Sequence, residues 1–453
     1  MNQRGIKIME KIVIIGANHA GLEVARNLLE SDKKFNITMI DKGNDISYLG
    51  CGVPMLLSNR KREYNEFFYV SNDELNQDIS ALYTNATVEK IDFVHKKVIM
   101  RDQNKKSKKI AYDKLVLATG ASQVSLGVKG SELKGIHLIK TLREGLAVDQ
   151  ELADPEIKKV AIIGGGYIGV ELAEAVNVRG KEVMVFDSKE HLMTSHYDPE
   201  FGMKIEERLQ KNGVKLHLGE EVISYQGNSE GRVENIVTTL GTHKADLVIL
   251  TMGFLPNTSL GRFHLDLYTN GAYIVDKYQR TTDPNVYAVG DCSTSYSNVL
   301  NELVVNFSVA DAIRGAYIAA QDIIGNEIVS TGMQVSNAVS VYGLNLFSTG
   351  ITADGAERYG IEYKYVDYED WLRPTFMEKN AKIKIRIVYD AKTRRIIGSQ
   401  ICSETDQSGV LYTLSLAIQK EVTIDELKVS GFFFYPCFNR PNNFLSDAAR
   451  KAK

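Results

Sequence analysis

Apolar residues in this chain fall into short runs, and two of those runs open the same longer pattern. Residues 11–42 read KIVIIGANHAGLEVARNLLESDKKFNITMIDK, and residues 158–189 read KKVAIIGGGYIGVELAEAVNVRGKEVMVFDSK. In each, four or five apolar residues predict a strand buried on both faces, as in a parallel sheet. A glycine-containing turn follows, then a helix with apolar spacings of three and four, then a second strand ending in Asp41 or Asp187. The expectation is one βαβ unit occurring twice. DKLVLATGAS (113–122), ADLVILTMGFLPNT (245–258) and DPNVYAVGDCST (283–294) add further strands that run into glycine. From about residue 326 the pattern changes. IKIRIVYDAKTRRIIGSQI (383–401) alternates about a polar turn and predicts an antiparallel hairpin. SGVLYTLSLAIQK predicts an amphipathic helix after it, and the tail GFFFYPCFNRPNNFLSDAARKAK is rich in aromatics and proline. The layout is two nucleotide-binding domains and a different C-terminal domain.

The 453 residues are too many for a single core. Hydrophobic content of 44% and charged content of 25% are those of an ordinary globular protein. A net charge of -3 leaves no electrostatic footprint for nucleic acid or an acidic membrane surface. No apolar run approaches the ~20 residues a membrane span needs, and MNQRGIKIMEK has no signal-peptide core. Cysteines at 51, 292, 402 and 437 show neither metal-ligand spacing nor a disulfide framework, so no metal is expected and a reducing cytosol fits best.

Gly164, Gly166 and Gly169 complete a G-x-G-x-x-G turn: one for the tight turn, one for backbone approach to a pyrophosphate, one for helix–strand packing. The helix start offers unpaired N–H groups to phosphate. Asp187, eighteen residues past Gly169, is placed to accept from a ribose 2′-OH and would repel a 2′-phosphate, which favours NADH over NADPH. Lys189 nearby softens that preference. The first unit keeps Gly16 and Gly21 but has Asn18 at the middle position, and Asp41, twenty residues past Gly21, supplies the second ribose acceptor. Two such sites in one chain imply a flavin and a nicotinamide. Asp291, after a strand and a glycine, is placed to bond a ribityl chain.

Taken in order, GANHAG, ISYLGCG, LATGAS, GGGYIGVELAEA, GFLPNT, VYAVGDCS and FFYPCFNRPNNF resemble the single-cysteine pyridine nucleotide–disulfide oxidoreductases. Within that family the likeness is greatest to the water-forming NADH oxidases and the NADH peroxidases. The resemblance implies an FAD-binding domain in two segments (1–124 and 245–325), an NADH-binding domain between them (125–244) and a C-terminal dimerisation domain (326–453). By position it implies Cys51 as the redox cysteine, His19 as the active-site histidine, Asp291 as the flavin aspartate and Tyr167 as the tyrosine that covers the flavin. Glu171 on the next helix turn, Ile168, Thr119 and Gly120 of LATGAS, and Gly253 of GFLPNT are carried over as cofactor-binding positions. Two departures stand out: Cys437 occupies the place of a histidine in the tail motif, and the stretch after Asp291 matches poorly, with Arg314 near where peroxidases carry an arginine.

Residue Cys51 has no partner thiol in its motif. A cysteine just before a helix beside a flavin can have its thiolate stabilised by the dipole and nearby donors. Without a resolving thiol its oxidised state is sulfenic acid. The implied cycle uses two NADH and one O2, passes through a peroxide and a Cys51 sulfenic acid, and releases two waters. His19, at a positive helix end, is expected to be neutral and to help protonate the departing hydroxide. Glu23, four residues on, either orients it or faces solvent. Cys292 and Cys402 are expected to be structural, and Cys437 either packs internally or faces a partner subunit. The alternatives are an NADH peroxidase, a coenzyme A disulfide reductase and, outside enzymes, a flavin redox sensor. The tail's aromatics predict a homodimer through the C-terminal domain.

Overall fold

A computed structural model describes residues 9–58, 64–68, 70, 71, 73, 75 and 78–453. Of the N-terminal stretch read for a signal sequence, MNQRGIKI lies outside the described residues. Both predicted βαβ units are present. The strand Glu10–Ile15 pairs in parallel with Phe35–Ile40 across the helix His19–Glu30. The strand Lys159–Ile163 does the same with Glu182–Asp187 across the helix Tyr167–Asn177. The inner residues of these strands are buried on both faces, as their continuous apolar runs require.

Among the described residues each unit sits in a five-stranded sheet. The first sheet adds Ala81–Tyr83 outside Phe35–Ile40, and Lys114–Leu117 and Val286–Ala288 on the other side. It is therefore built from chain on both sides of the second unit. The second sheet runs Lys215–Leu218, Glu182–Asp187, Lys159–Ile163, Leu247–Leu250, Ile136–His137. This corrects one expectation: residues 247–250, assigned from sequence to the first domain's second segment, pair with Lys159–Ile163. The chain crosses back only afterwards, where Phe254–Pro256 pairs with Ala121–Gln123, the outgoing crossing. An apolar run that ends in glycine does not say which of two similar sheets it joins; register with its neighbour does.

The C-terminal domain is an antiparallel sheet in the order Ser336–Val341, Leu344–Gly350, Ile396–Ser403, Lys382–Asp390, Tyr363–Trp371. The predicted hairpin forms two of its strands, and the predicted helix is Ser408–Gln419. No helix among the described residues is long and apolar enough to cross a membrane.

A buried charge cluster joins the second domain to the third. Asp198, fully buried ahead of the helix Pro199–Lys211, accepts from Arg386 Nη1 at 3.1 Å and from the Ala353 and Asp354 amides at 3.2 and 2.9 Å. Gln400 also donates to it. Arg386 reaches Glu200 and Asp367 as well. Burial alone would lower the Arg386 pKa, but these carboxylates outweigh it and push it up. Truncation of one partner in such a pair strands the other in low dielectric. Asp198→Ala is therefore expected to cost ~3–5 kcal/mol, read as a lower urea midpoint; an unchanged midpoint would show that the cluster does not hold the two domains together.

Candidate functional site

The two glycine turns are built alike. Gly16 and Gly164 have φ of +109° and +112°, and a Cβ there would meet Ala118 O at 2.1 Å or Thr251 O at 2.7 Å. A Cβ on Gly21 or Gly169 would meet the carbonyl of Gly16 or Gly164 at 1.9 or 2.0 Å. These four glycines are required by the protein's own backbone. Gly166 is different: a Cβ there would meet nothing within 4 Å, so the space in front of the helix start is open. That space and the free amides behind it fit a pyrophosphate. In the first unit Asn18 takes this position as N-cap, its Oδ1 accepting from the His19 amide at 3.0 Å. Gly120 and Gly253, at the crossing between domains, also face open space. Asn257 holds the first of these segments, its amide donating to Gly120 O at 2.9 Å while its Nδ2 donates to Thr119 O at 3.0 Å.

The strand-end acids repeat the same symmetry. Asp41 accepts from the Ala17 amide at 2.7 Å and the Gly43 amide at 2.6 Å. Asp187 accepts from the Gly165 amide at 2.7 Å and the Lys189 amide at 2.8 Å. Each carboxylate uses one lone pair per oxygen and keeps acceptor capacity for a ribose hydroxyl.

Cys51 lies in the turn Gly50–Gly52, which leads into the short helix Val53–Leu57. Val53 and Leu57 are buried in the second domain's core with Leu142, Val148 and Val170, and this packing brings the cysteine turn against the second unit. Arg179 Nη1 donates to Leu57 O at 3.2 Å and holds the helix end. Cys51 remains solvent-accessible.

Tyr167, Glu171 and Asp291 surround it electrostatically. The thiol pKa is raised, first by burial of its surroundings and then by the charges of Glu171 and Asp291. This corrects the expectation of a thiolate stabilised by a helix dipole: the following helix is one short turn, and the charges that face the sulfur are negative. Burial pushes the Tyr167 hydroxyl up to about 12, with Cys51, Asp291 and Glu171 adding to it. Glu171 is pushed up to about 7 by burial and by Glu174, against a backbone hydrogen bond from Ser340 in the third domain. His19 has a lowered pKa, as expected, but burial rather than the helix end is the cause, and Asp291 opposes it. Glu23 accepts from Asn27 at 2.8 Å. Arg314 pairs with Asp311 at 2.6 Å on the helix Val309–Ile324, which packs its alanines on the helix His19–Glu30. Ile168 packs against the second core. Cys292 is buried, donating to Leu117 O at 3.3 Å, and Cys402 is buried.

Sequence reading missed three participants. Lys140 Nζ reaches Asp291 at 3.3 Å and Ala121 O at 2.6 Å, and lies 4.6 Å over the Phe254 ring. His196 tilts against Tyr167 at 5.7 Å. Ser340 arrives from the third domain. None belongs to a motif; only the domain packing collects them.

Two dinucleotide folds packed about a solvent-accessible cysteine are the architecture of a two-nucleotide oxidoreductase. The chain belongs to the pyridine nucleotide-disulphide oxidoreductase family, whose model matches residues 10–319, with the family's dimerisation domain matching 337–442. It is similar to an NADH oxidase of Lactococcus lactis, with 42% identity over 98% of this chain and 100% of that one. An NADH oxidase of Streptococcus pyogenes is 36% identical over 98% and 100% of the two chains. The water-forming NADH oxidase from Lactobacillus brevis bound to NADH superposes with a TM-score of 0.94 at 31% identity, covering 97% of both chains.

The charge around Cys51 has a measurable consequence. Glu171→Gln removes a negative charge facing the sulfur, which lowers the thiol pKa and increases the thiolate fraction near neutrality. Alkylation of Cys51 at pH 8, followed on its peptide by mass spectrometry, is expected to speed up roughly threefold. Below pH 5, where Glu171 is itself protonated, the two proteins should react alike. Equal rates at pH 8 would remove Glu171 from the sulfur's surroundings.

Proposed function

We propose that this chain is an FAD-dependent NADH oxidase that reduces O2 to water through a cysteine sulfenic acid at Cys51. The observation that carries this reading is a lone accessible cysteine enclosed by Tyr167, Glu171 and Asp291, with no second thiol in its motif. The names of full-length relatives at 30–42% identity support the activity.

The first unit holds FAD: Gly16, Asn18, His19 and Gly21 at the phosphate turn, Asp41 at the ribose, with Thr119, Gly120 and Asp291 further along. The second holds NADH through Gly164, Gly166, Ile168, Gly169 and Asp187, with Tyr167, Glu171 and Gly253 toward the nicotinamide. Bound FAD supplies hydride acceptance from NADH and onward two-electron transfer. Cys51 then handles oxygen at the peroxide level. Its sulfur attacks one oxygen, the O–O bond breaks, and Cys-SH plus H2O2 becomes Cys-SOH plus water. His19, kept neutral by burial, takes the thiol proton and returns it to the departing hydroxide. Two electrons from a second NADH and two protons return the sulfenic acid to Cys-SH and release the second water. Over the cycle two NADH, one O2 and two protons give two NAD+ and two waters.

The reading includes a homodimer, which the match of residues 337–442 to the family's dimerisation domain supports. Phe433, Phe434, Tyr435 and Phe438 are exposed in the tail, which suits a surface that packs against a partner subunit. Cys437 is exposed on the same segment and takes no part in a one-sulfur cycle. The unpaired cysteines suit a reducing cytosol.

Stoichiometry tests the reading. The protein should consume two NADH per O2 and release no peroxide, whereas Cys51→Ser should keep its flavin, use one NADH per O2 and release hydrogen peroxide. A Cys51→Ser protein that still made only water would end the sulfenic acid proposal. If peroxide rather than O2 drives NADH oxidation, the NADH peroxidase reading takes its place.

Cofactor choice tests Asp187. A carboxylate facing a phosphate dianion in a poorly screened site costs several kcal/mol, so the parent should prefer NADH strongly. Asp187→Ala is expected to lower kcat/KM for NADH by roughly tenfold, because it also frees the Gly165 and Lys189 amides, and to narrow the gap to NADPH. Equal use of both cofactors by the parent would count directly against the assignment.

A further inference from the structure

On the outer side of the second sheet, away from Cys51, two imidazoles converge on one buried carboxylate. His217 lies in the strand Lys215–Leu218, His243 in the strand Thr242–Lys244 of a neighbouring three-stranded sheet, and Glu220 in the loop between. His217 Nδ1 is 3.0 Å from Glu220 Oε2, and His243 Nε2 is 2.7 Å from Glu220 Oε1. One ligand atom from each of the three lies within 4.8 Å of the others. Zinc bonds of about 2.0–2.1 Å at tetrahedral angles place ligand atoms about 3.3 Å apart, so the two histidine–glutamate pairs need open only slightly to admit an ion.

Three features make this more than a hydrogen-bonded pair of histidines. Glu220 is 5% exposed, and its ion-pair partners among the described residues are these two imidazoles, which carry charge only when protonated. A divalent cation would supply the missing charge at any pH at which the imidazoles are neutral. The groups are also held from behind. Thr238 Oγ1 donates to Glu220 Oε1, and the Phe186 ring stacks on His217 at 4.5 Å and meets His243 edge-on at 5.1 Å. Finally, the histidines are 21% and 23% exposed, so solvent reaches the cluster and can fill a remaining coordination position.

We propose that His217, Glu220 and His243 bind a divalent transition-metal ion of the zinc class, which ties the edge strand of the second sheet to the hairpin beside it. The loop carrying Glu220 is bonded to the ribose-acid segment, Gly219 N to Lys189 O at 2.7 Å and Glu220 N to Asp187 O at 3.0 Å. The ion therefore braces the back of that segment. Sequence spacing hides the site: the two histidines are on different sheets, and no motif joins them.

The test uses the full-length, FAD-loaded protein with Cys51 and Cys437 replaced by Ser, which removes the exposed thiols as competing ligands. After chelator treatment it is dialysed against buffered micromolar Zn2+, and bound metal is measured with the thermal midpoint. The expected result is about one Zn2+ per chain and a raised midpoint. His217→Ala and His243→Ala should each weaken binding at least about tenfold and abolish the midpoint shift. Glu220→Gln, nearly isosteric, should do the same with its FAD content intact, and it decides the matter if an alanine variant loses FAD. Uptake that is absent below millimolar Zn2+, or that survives these substitutions, would overturn the proposal.

Discussion

The backbone at the opening turn of each dinucleotide fold runs so close to the neighbouring strand that no side chain fits. Gly16 lies against the Ala118 carbonyl and Gly164 against that of Thr251. From this contact the rest of each unit follows. The turn must be left-handed at that residue, which points the next amides forward and starts the helix at once. The carboxylate at the end of the adjacent strand then falls within reach of the second turn amide and locks it, Asp41 on Ala17 and Asp187 on Gly165. The open helix start, the helix direction and the placement of the strand-end carboxylate are thus set by one steric condition, met twice in the chain.

What the units enclose depends on how they are held together. The helix after Cys51 has its apolar residues in the second domain's core, so the sulfur belongs to one domain by sequence and to the boundary between two by packing. The third domain contributes through Ser340, which meets Glu171. Asp198 and Arg386, both buried, fix that third domain against the second. Removing solvent from this junction raises the pKa of Cys51, Tyr167 and Glu171 together, while it lowers that of His19. Near neutrality the junction favours a protonated thiol and phenol and a neutral imidazole, with Glu171 divided between its two forms, a state suited to moving protons rather than to storing charge.

The Cys51 environment also separates reactivity from mere exposure. A sulfur that reacts with oxygen species has to become a thiolate, and the chain's own charges oppose this. Glu171, pushed up to about 7, sits at the pH where it can relieve that opposition by taking a proton. The electrostatics of the site therefore respond to its protonation state as a group.

Much of this was legible in the sequence. Continuous apolar runs, glycines at fixed offsets and acids at strand ends are local signals, because backbone sterics and hydrogen bonding act over a few residues. They yielded both βαβ units, the hairpin and helix of the third domain, and the candidate roles of Cys51, His19, Tyr167, Glu171, Asp187 and Asp291. Three things were not local. Leu247–Leu250 joined the second sheet because of its register with Lys159–Ile163, which no composition encodes. Lys140, His196 and the His217–Glu220–His243 cluster came together only when separate strands and helices packed. The direction of the Cys51 shift was set first by burial and then by carboxylates from distant segments, neither of which follows from order along the chain. Sequence by itself determined the elements and their chemistry; tertiary structure alone decided which charges face one another, because electrostatic energy is a function of separation in space.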